Sequence, residues 1–324
     1  MNTDRNNTNT DKLDDIPADA WNAMERDGKA MLYRNRNWKD DVYVLCCCPD
    51  DIRQFLPEDI SGTRFDPERI GGLACELSGF KRGRSRQVLW VRETPNAWVA
   101  LRTLVHEAIH VACFALTDRN IPLDLRKSGA GDCLGFFIED LLTETLPFFE
   151  KKFGILGADL PRQRTRKDRL AARGGKGAPL PAMKKLGVAF EHVDKTWRAS
   201  VAAAICNAKD APSIFNLVTE SSSKYADEDA DRVWFSSTES SALVWADGSQ
   251  GARAAFASLA HGAIHAAGRI LANCGADVDL SKTGASECVT YFVEHFFESI
   301  QSWFLSRFEG SLAFPSSTDA VIAV

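Results

Sequence analysis

Leu104-Val105-His106-Glu107-Ala108-Ile109-His110 is the stretch from which the rest of the chain can be read. Around it the apolar residues Trp98, Leu101, Leu104, Val105, Ala108, Ile109, Ala112 and Leu116 recur at helical spacing, so the pattern predicts one long amphipathic helix. A helix turns once in about 3.6 residues. His106 and His110 therefore share a face one turn apart, with Glu107 beside them. Two imidazoles so placed suit a tetrahedral Zn2+, and the neighbouring carboxylate suits a general base that takes a proton from a water the cation has acidified to a pKa of about 7. Two histidines four apart can also be satisfied core or surface residues, and the chain supplies its own comparison.

From Leu259 the sequence Leu-Ala-His261-Gly262-Ala-Ile-His265 repeats the first motif 155 residues on, and the match continues without a gap. Thr94 pairs with Ser249, Asp124-Leu125 with Asp279-Leu280, Lys127 with Lys282, and Gly129-Ala130 with Gly284-Ala285. Cys133 pairs with Cys288, Phe137 with Phe292 and Glu139 with Glu294. Four of the six histidines are the paired ones, so the two-histidine helix is expected to belong to a unit that was duplicated in tandem.

A chain of 324 residues with 45% hydrophobic content can build two domains of ordinary size, each with its own core. The net charge of -5 argues against a surface built for nucleic acid. No uninterrupted apolar run approaches the eighteen or so residues of a membrane span, and no signal-peptide pattern opens the chain. The expectation is a cytoplasmic protein without a membrane partner. Nine cysteines without a CxxC pair imply neither a cysteine zinc site nor a disulfide framework.

Asn, Thr and Asp dominate the first fifteen or so residues, which cannot bury enough apolar surface to order themselves. A short helix is predicted between Ile16 and Leu32, with Ala20, Trp21 and Met24 on one face. Val42 to Cys48 reads as a buried strand ended by Pro49-Asp50-Asp51, and Val201 to Cys206 is its counterpart at an offset of 159. A four-residue difference must therefore lie in the loops before the motif helix. Pro57 to Arg86 reads as loop with short strands, and Gln87 to Arg92 as a strand. Thr94-Pro95 reads as an N-cap with proline at the first helical position, and Asn120-Ile121-Pro122 as the stop. A second helix should carry Leu134, Phe137, Ile138, Leu141 and Leu142 as an apolar stripe.

From Phe153 to Leu186 the composition turns basic, and between Arg162 and Lys176 the residues Arg162, Arg164, Arg166, Lys167, Arg169, Arg173 and Lys176 are opposed only by Asp168. This reads as a solvated linker, able at most to make weak contacts to phosphate; it has too few aromatics between those charges to stack bases.

A hydrolytic zinc site takes three protein ligands and leaves a fourth position open. The expected third ligand is Asp132, with Glu287 as its counterpart in the second copy; Glu139 and Glu294 are alternative ligands or partners of the histidines. First-turn acids stabilised by the helix dipole would look the same.

HExxH on a long helix, followed by a helix bringing an acidic ligand, resembles the zincin metallopeptidases of the glutamate type. The stretch TLVHEAIHVACFALTDRNIPL with GDCLGFF downstream also resembles short zincin-like proteins of bacteriophages. The resemblance covers about fifty residues in each half. It implies a zinc peptidase with Glu107 as catalytic base, His106, His110 and Asp132 on the metal, and a peptide or protein as substrate. The departures are specific. Asp132 is a methylene shorter than the glutamate of the pattern, and Phe136 stands at its tyrosine. Glu287 and Tyr291, a transition-state stabiliser by resemblance, match in the second copy, where Gly262 replaces the base.

The expected architecture is α+β: two tandem zincin-like domains, each a small sheet packed on a long HxxxH helix and a second acidic helix. The expected boundaries are a flexible tail 1-29, a domain 30-153, a linker 154-186, a degenerate domain 187-308 with a possible second metal site at His261, His265 and Glu287, and a tail 309-324. A pseudo-two-fold arrangement of the halves is expected. The alternative function is a lapsed structural or host-interaction module, binding a host protein, in the host cytoplasm or a virion.

Overall fold

The computed structural model describes residues 18–35, 40–56, 59–60, 63–64, 66–77, 85–95, 97–121, 123–124, 134, 138, 189–194, 197–206, 233–235, 241–248, 252–280 and 289. They form an α+β protein. The first half runs α1 (Ala18–Arg26), β1 (Ala30–Asn35), β2 (Asp40–Cys47), a single turn α2 (Pro49–Ile52), β3 (Asp59–Ile60), β4 (Thr63–Arg64), β5 (Gly72–Glu76), β6 (Ser85–Arg92) and α3 (Ala97–Thr117). The second runs β7 (Ala189–Asp194), β8 (Ala199–Cys206), β9 (Val233–Phe235), β10 (Ser241–Asp247) and a long helix, α4 (Ala252–Asn273).

Each half contains a four-stranded mixed sheet, ordered β1-β2-β6-β5 in the first and β7-β8-β10-β9 in the second. In both, the central pair is parallel and the two outer strands are antiparallel to it. Strand residues alternate between faces, so Val42, Val44 and Cys46 join Leu89 and Val91 under α3, while Leu45, Cys47, Val88 and Trp90 face α1 and the Phe55-Leu56 turn. Both faces are covered, which is why β2 reads as an unbroken apolar run. The indole Nε1 of Trp90 donates to the carbonyl of Cys47 at 3.2 Å, and that of Trp245 to Cys206 at 3.3 Å. The two halves thus repeat one bond at offsets of 155 for the tryptophans and 159 for the cysteines.

α3 and α4 end alike. Asn120 (φ 56°) and Gly275 (φ 82°) adopt the left-handed conformation, each followed by a residue whose N–H reaches back into the last turn: Ile121 to Leu116 and Ala276 to Leu271. This is the Schellman stop, and the 155-residue offset holds through it. By length and composition Val99–Thr117 could cross a membrane (19 residues, mean hydropathy 1.4), but 67% of it is buried inside the protein, as expected of a core helix. One hydrophobic cluster contains buried residues of both long helices and both sheets. Asp124 and Asp279, a matched pair at that offset, meet in an antiparallel bridge, and Leu280 N–H donates to Leu123 O at 2.9 Å.

Several expectations need correction. The short helix expected between Ile16 and Leu32 is α1, which stops at Arg26 because Gly28 (φ 67°) turns the chain and Ala30 opens β1. Within the stretch 1-29 expected as a flexible tail, Ala18–Arg26 is helical and Met24 packs into the cluster of Leu45, Cys47, Val88 and Trp90 with Ala20 and Trp21 against it. β1 and β7 were not expected as strands, whereas β3, β4 and β5 are short strands within Pro57 to Arg86, as expected. α3 begins at Ala97 rather than at Pro95. Of the expected second helix, Leu134 and Ile138 are helical and fully buried. The basic stretch 154–186 lies outside the described residues.

Candidate metal centre

α3 places His106 and His110 one turn apart, with their Nε2 atoms 3.3 Å from each other. At that distance one ring can donate a long N–H···N hydrogen bond to the other. Two nitrogens ligating one tetrahedral zinc at about 2.0–2.1 Å would stand about 3.3–3.4 Å apart, so the pair has the span of a chelate. Both rings line a cavity of about 560 Å³, and so does Glu107. That volume lies in the range of small-ligand sites.

The wall opposite the helix is β5. Its Gly72 comes so close to α3 that an added Cβ would stand 2.5 Å from Thr103 Cγ2, 2.8 Å from Glu107 Oε1 and 2.8 Å from the Trp90 carbonyl. Glu107, 7% exposed, is held in the seam between helix and strand. β5 is the end strand of its sheet. Arg92 N–H bonds Gly71 O and Leu77 N–H bonds Arg86 O, so Gly71 and Leu77 point their backbone groups at β6. The alternating pattern of antiparallel pairs then directs those of Gly72 and Ala74 to the outer edge.

Burial, with a smaller contribution from the neighbouring His106, lowers the His110 imidazole to about 4. It is therefore neutral near pH 7, the form with a lone pair to give to a cation. Burial also pushes the thiols of Cys47, Cys75 and Cys113 up to about 12, with Glu107 adding to the effect at Cys75. Such thiols are inert at neutral pH.

The second pair has converged too: the Nε2 atoms of His261 and His265 are 3.1 Å apart, with the rings stacked at 23°. This distance falls within the ordinary hydrogen-bond range. Gly262 stands where the first motif has Glu107, and the space beside it is filled. A Cβ on Gly262 would meet Val244 Cγ1 at 2.3 Å and Val233 Cγ2 at 3.2 Å, so the strand side chains of β10 and β9 occupy the space a helix side chain would need.

Of the residues singled out in the sequence, His106, Glu107 and His110 come together in one cavity, and His261 and His265 form a separate pair. Asp132, Glu139, Glu287, Tyr291 and Glu294 lie outside the described residues. Among the described residues no third His, Cys, Asp or Glu joins either pair to complete a metal site. Chemically the first pair fits zinc: two imidazoles, one neutral by burial, at the right span beside a carboxylate. The sequence reading missed Gly72, Thr103, Phe114 and Arg69, which also line the cavity. The available signal was Gly71-Gly72 at the head of an apolar run, a pattern that marks close backbone approach. No family model, curated protein or solved structure matches this chain.

Proposed function

We propose that the chain is a zinc-dependent hydrolase of zincin type acting on peptides, built by tandem duplication, with a working site in the first half and a lapsed copy in the second. The observation that carries the proposal is the 3.3 Å convergence of His106 and His110 in a cavity they share with Glu107. His106 and His110 would hold the metal, with Asp132 as the proposed third ligand. Zinc bound there supplies Lewis acidity, which acidifies water and polarises a carbonyl. Glu107 takes the proton of the attacking water and returns it to the leaving amine, a role suited to a carboxylate held between α3 and Gly72. The outward backbone groups of Gly72 and Ala74 offer an extended peptide two residues of strand pairing beside that carboxylate.

In the second half Gly262 supplies no base, so His261 and His265 serve at most a structural metal. The filling of the space beside Gly262 by Val244 also favours the alternative, in which both halves have lapsed and the scaffold is a structural or host-interaction module of phage type. Either function would be exercised in the cytoplasm, or in a virion if the protein is phage-encoded.

The deciding measurement is metal content of protein purified without added zinc or chelator. About one zinc per chain, lost with His106→Ala/His110→Ala and kept with His261→Ala/His265→Ala, is expected. Glu107→Gln should then retain zinc and fold while peptide hydrolysis falls by about 10²-fold or more. Wild type that takes up no zinc even when it is supplied would overturn the hydrolase reading.

A further inference from the structure

We infer that Arg69 reads a carboxylate of the substrate, so that the cavity over His106, Glu107 and His110 selects acidic peptides; this rests on the hydrolase reading above. Arg69 lines the same cavity as the three motif residues. It stands at the end of the turn Asp66-Pro67-Glu68-Arg69, which is closed by Arg69 N–H to Asp66 O at 3.1 Å and Glu68 N–H to Asp66 Oδ1 at 3.2 Å. The turn is fastened to the sheet. Arg92 Nη1 donates to Glu68 O at 2.8 Å, and Glu68 Oε1 receives Arg53 at 3.5 Å. The Arg69 backbone is thereby held, and its guanidinium is tied to the same turn through Asp66.

The charges around the turn are sorted. Arg53 is matched by Asp50 at 2.7 Å as well as by Glu68, and Arg92 by Glu68 at 3.4 Å. Arg69 meets Asp66 through Nε at 3.1 Å, and its side chain is 84% exposed. Among the described residues no second carboxylate meets its guanidinium, so both terminal nitrogens remain for a ligand. A guanidinium fork takes a carboxylate through two parallel bonds, which gives direction as well as charge. The other walls, Ile70, Leu73 and Phe114, are apolar and carry no charge preference. Of the two fully charged side chains that line the cavity, Glu107 is 7% exposed and packed beside Gly72, and Arg69 is the exposed one.

The carboxylate could belong to an Asp or Glu side chain or to a peptide C-terminus, and the test separates them. Peptides of one length carrying Glu, Gln or Lys beside the scissile bond, each as free acid and as amide, are compared on wild type, Arg69→Ala, Arg69→Lys and Arg69→Glu. Hydrolysis by zinc-loaded protein and anisotropy of labelled peptide on zinc-free protein are both read. The Glu-to-Gln ratio of kcat/KM, or the acid-to-amide ratio if the terminus is read, should fall about five- to tenfold in Arg69→Ala through KM. Arg69→Lys should restore part of it, and Arg69→Glu should turn the preference toward the Lys peptide. A wild-type enzyme that cleaves all the peptides alike, or an Arg69→Ala change that affects them equally, would overturn the inference and leave the hydrolase reading standing. Arg69-dependent binding of acidic peptide without any cleavage would instead remove the hydrolase reading and keep the charge selection.

Discussion

Gly262 of α4 lies directly against Val244 of β10, with room between them for hydrogen but not for a methyl group: a Cβ would stand 2.3 Å from Val244 Cγ1. In the first half Leu89 of β6 stands at the strand position of Val244, 155 residues earlier, and the glycine that meets the helix is Gly72 of the end strand β5, beside Glu107. The tight contact between helix and sheet thus involves β10 in the second half and β5 in the first. Restoring the motif by Gly262→Glu should therefore give no hydrolysis at His261 and His265, and should destabilise the protein by about 3 kcal/mol or more through overpacking and a buried charge. Gly262→Ala should cost about 1–2 kcal/mol despite its better helix propensity. Combining it with Val244→Ala should recover part of that loss in a double-mutant cycle by urea unfolding; strict additivity would refute the packing account.

Gly72→Ala tests the tight contact in the first half. Its methyl would fall 2.8 Å from both Glu107 Oε1 and the Trp90 carbonyl, and the backbone oxygen cannot rotate away. A loss of about 1–3 kcal/mol is expected. Zinc content should persist while hydrolysis falls, because Glu107 is displaced and the histidines are not. Loss of zinc together with activity would mean that β5 supports the ligands rather than the base.

Asp40 gives the fold a pH dependence. It is fully buried beside Arg119, whose Nη2 lies 3.0 Å from its Oδ1, and burial outweighs that cation and raises the carboxyl to about 6. The folded state thus keeps a proton at pH values where the unfolded chain, at about 3.9, has released it. Stability should fall as pH rises from about 4 to about 6, by on the order of 3 kcal/mol. His110, lowered to about 4, acts in the opposite sense: its contribution is present above about 6.5 and lost as pH falls. The Asp40 effect is therefore read as the difference between wild type and Asp40→Asn in urea unfolding at pH 4.5, 5.5 and 7. An unchanged difference across that range would exclude Asp40 as the source.

The helix stops differ in one residue, and the difference is measurable. Gly275 has open space around its Cβ position, so Gly275→Ala should cost about 1 kcal/mol from the left-handed backbone alone. Asn120→Gly, at the matched position, should stabilise by a few tenths of a kcal/mol. Thermal melts of the two variants should move in opposite directions.

Much of this was legible in consecutive residues. Helical periodicity set α3, put His106 and His110 on one face, and carried the 155-residue offset through α4 to Gly275. β2 and β8 were legible as buried apolar runs, and the step from 159 to 155 placed the length difference before the helices. These signals are local, because a helix or a buried strand repeats its pattern within a few turns or residues.

What the tertiary structure decided was which segments meet. β1, β5 and β7 carry weak patterns of their own and become strands by pairing with β2, β6 and β8. That pairing brings Gly72 onto Glu107, sets Arg69 at the cavity, fills the space beside Gly262 with Val244, and joins Asp124 to Asp279. Each contact links residues far apart in the chain and is selected by burying whole faces of sheet and helix at once. The histidine pair was therefore written in the sequence as a spacing, while the cavity around it came from nonlocal packing that no short stretch encodes.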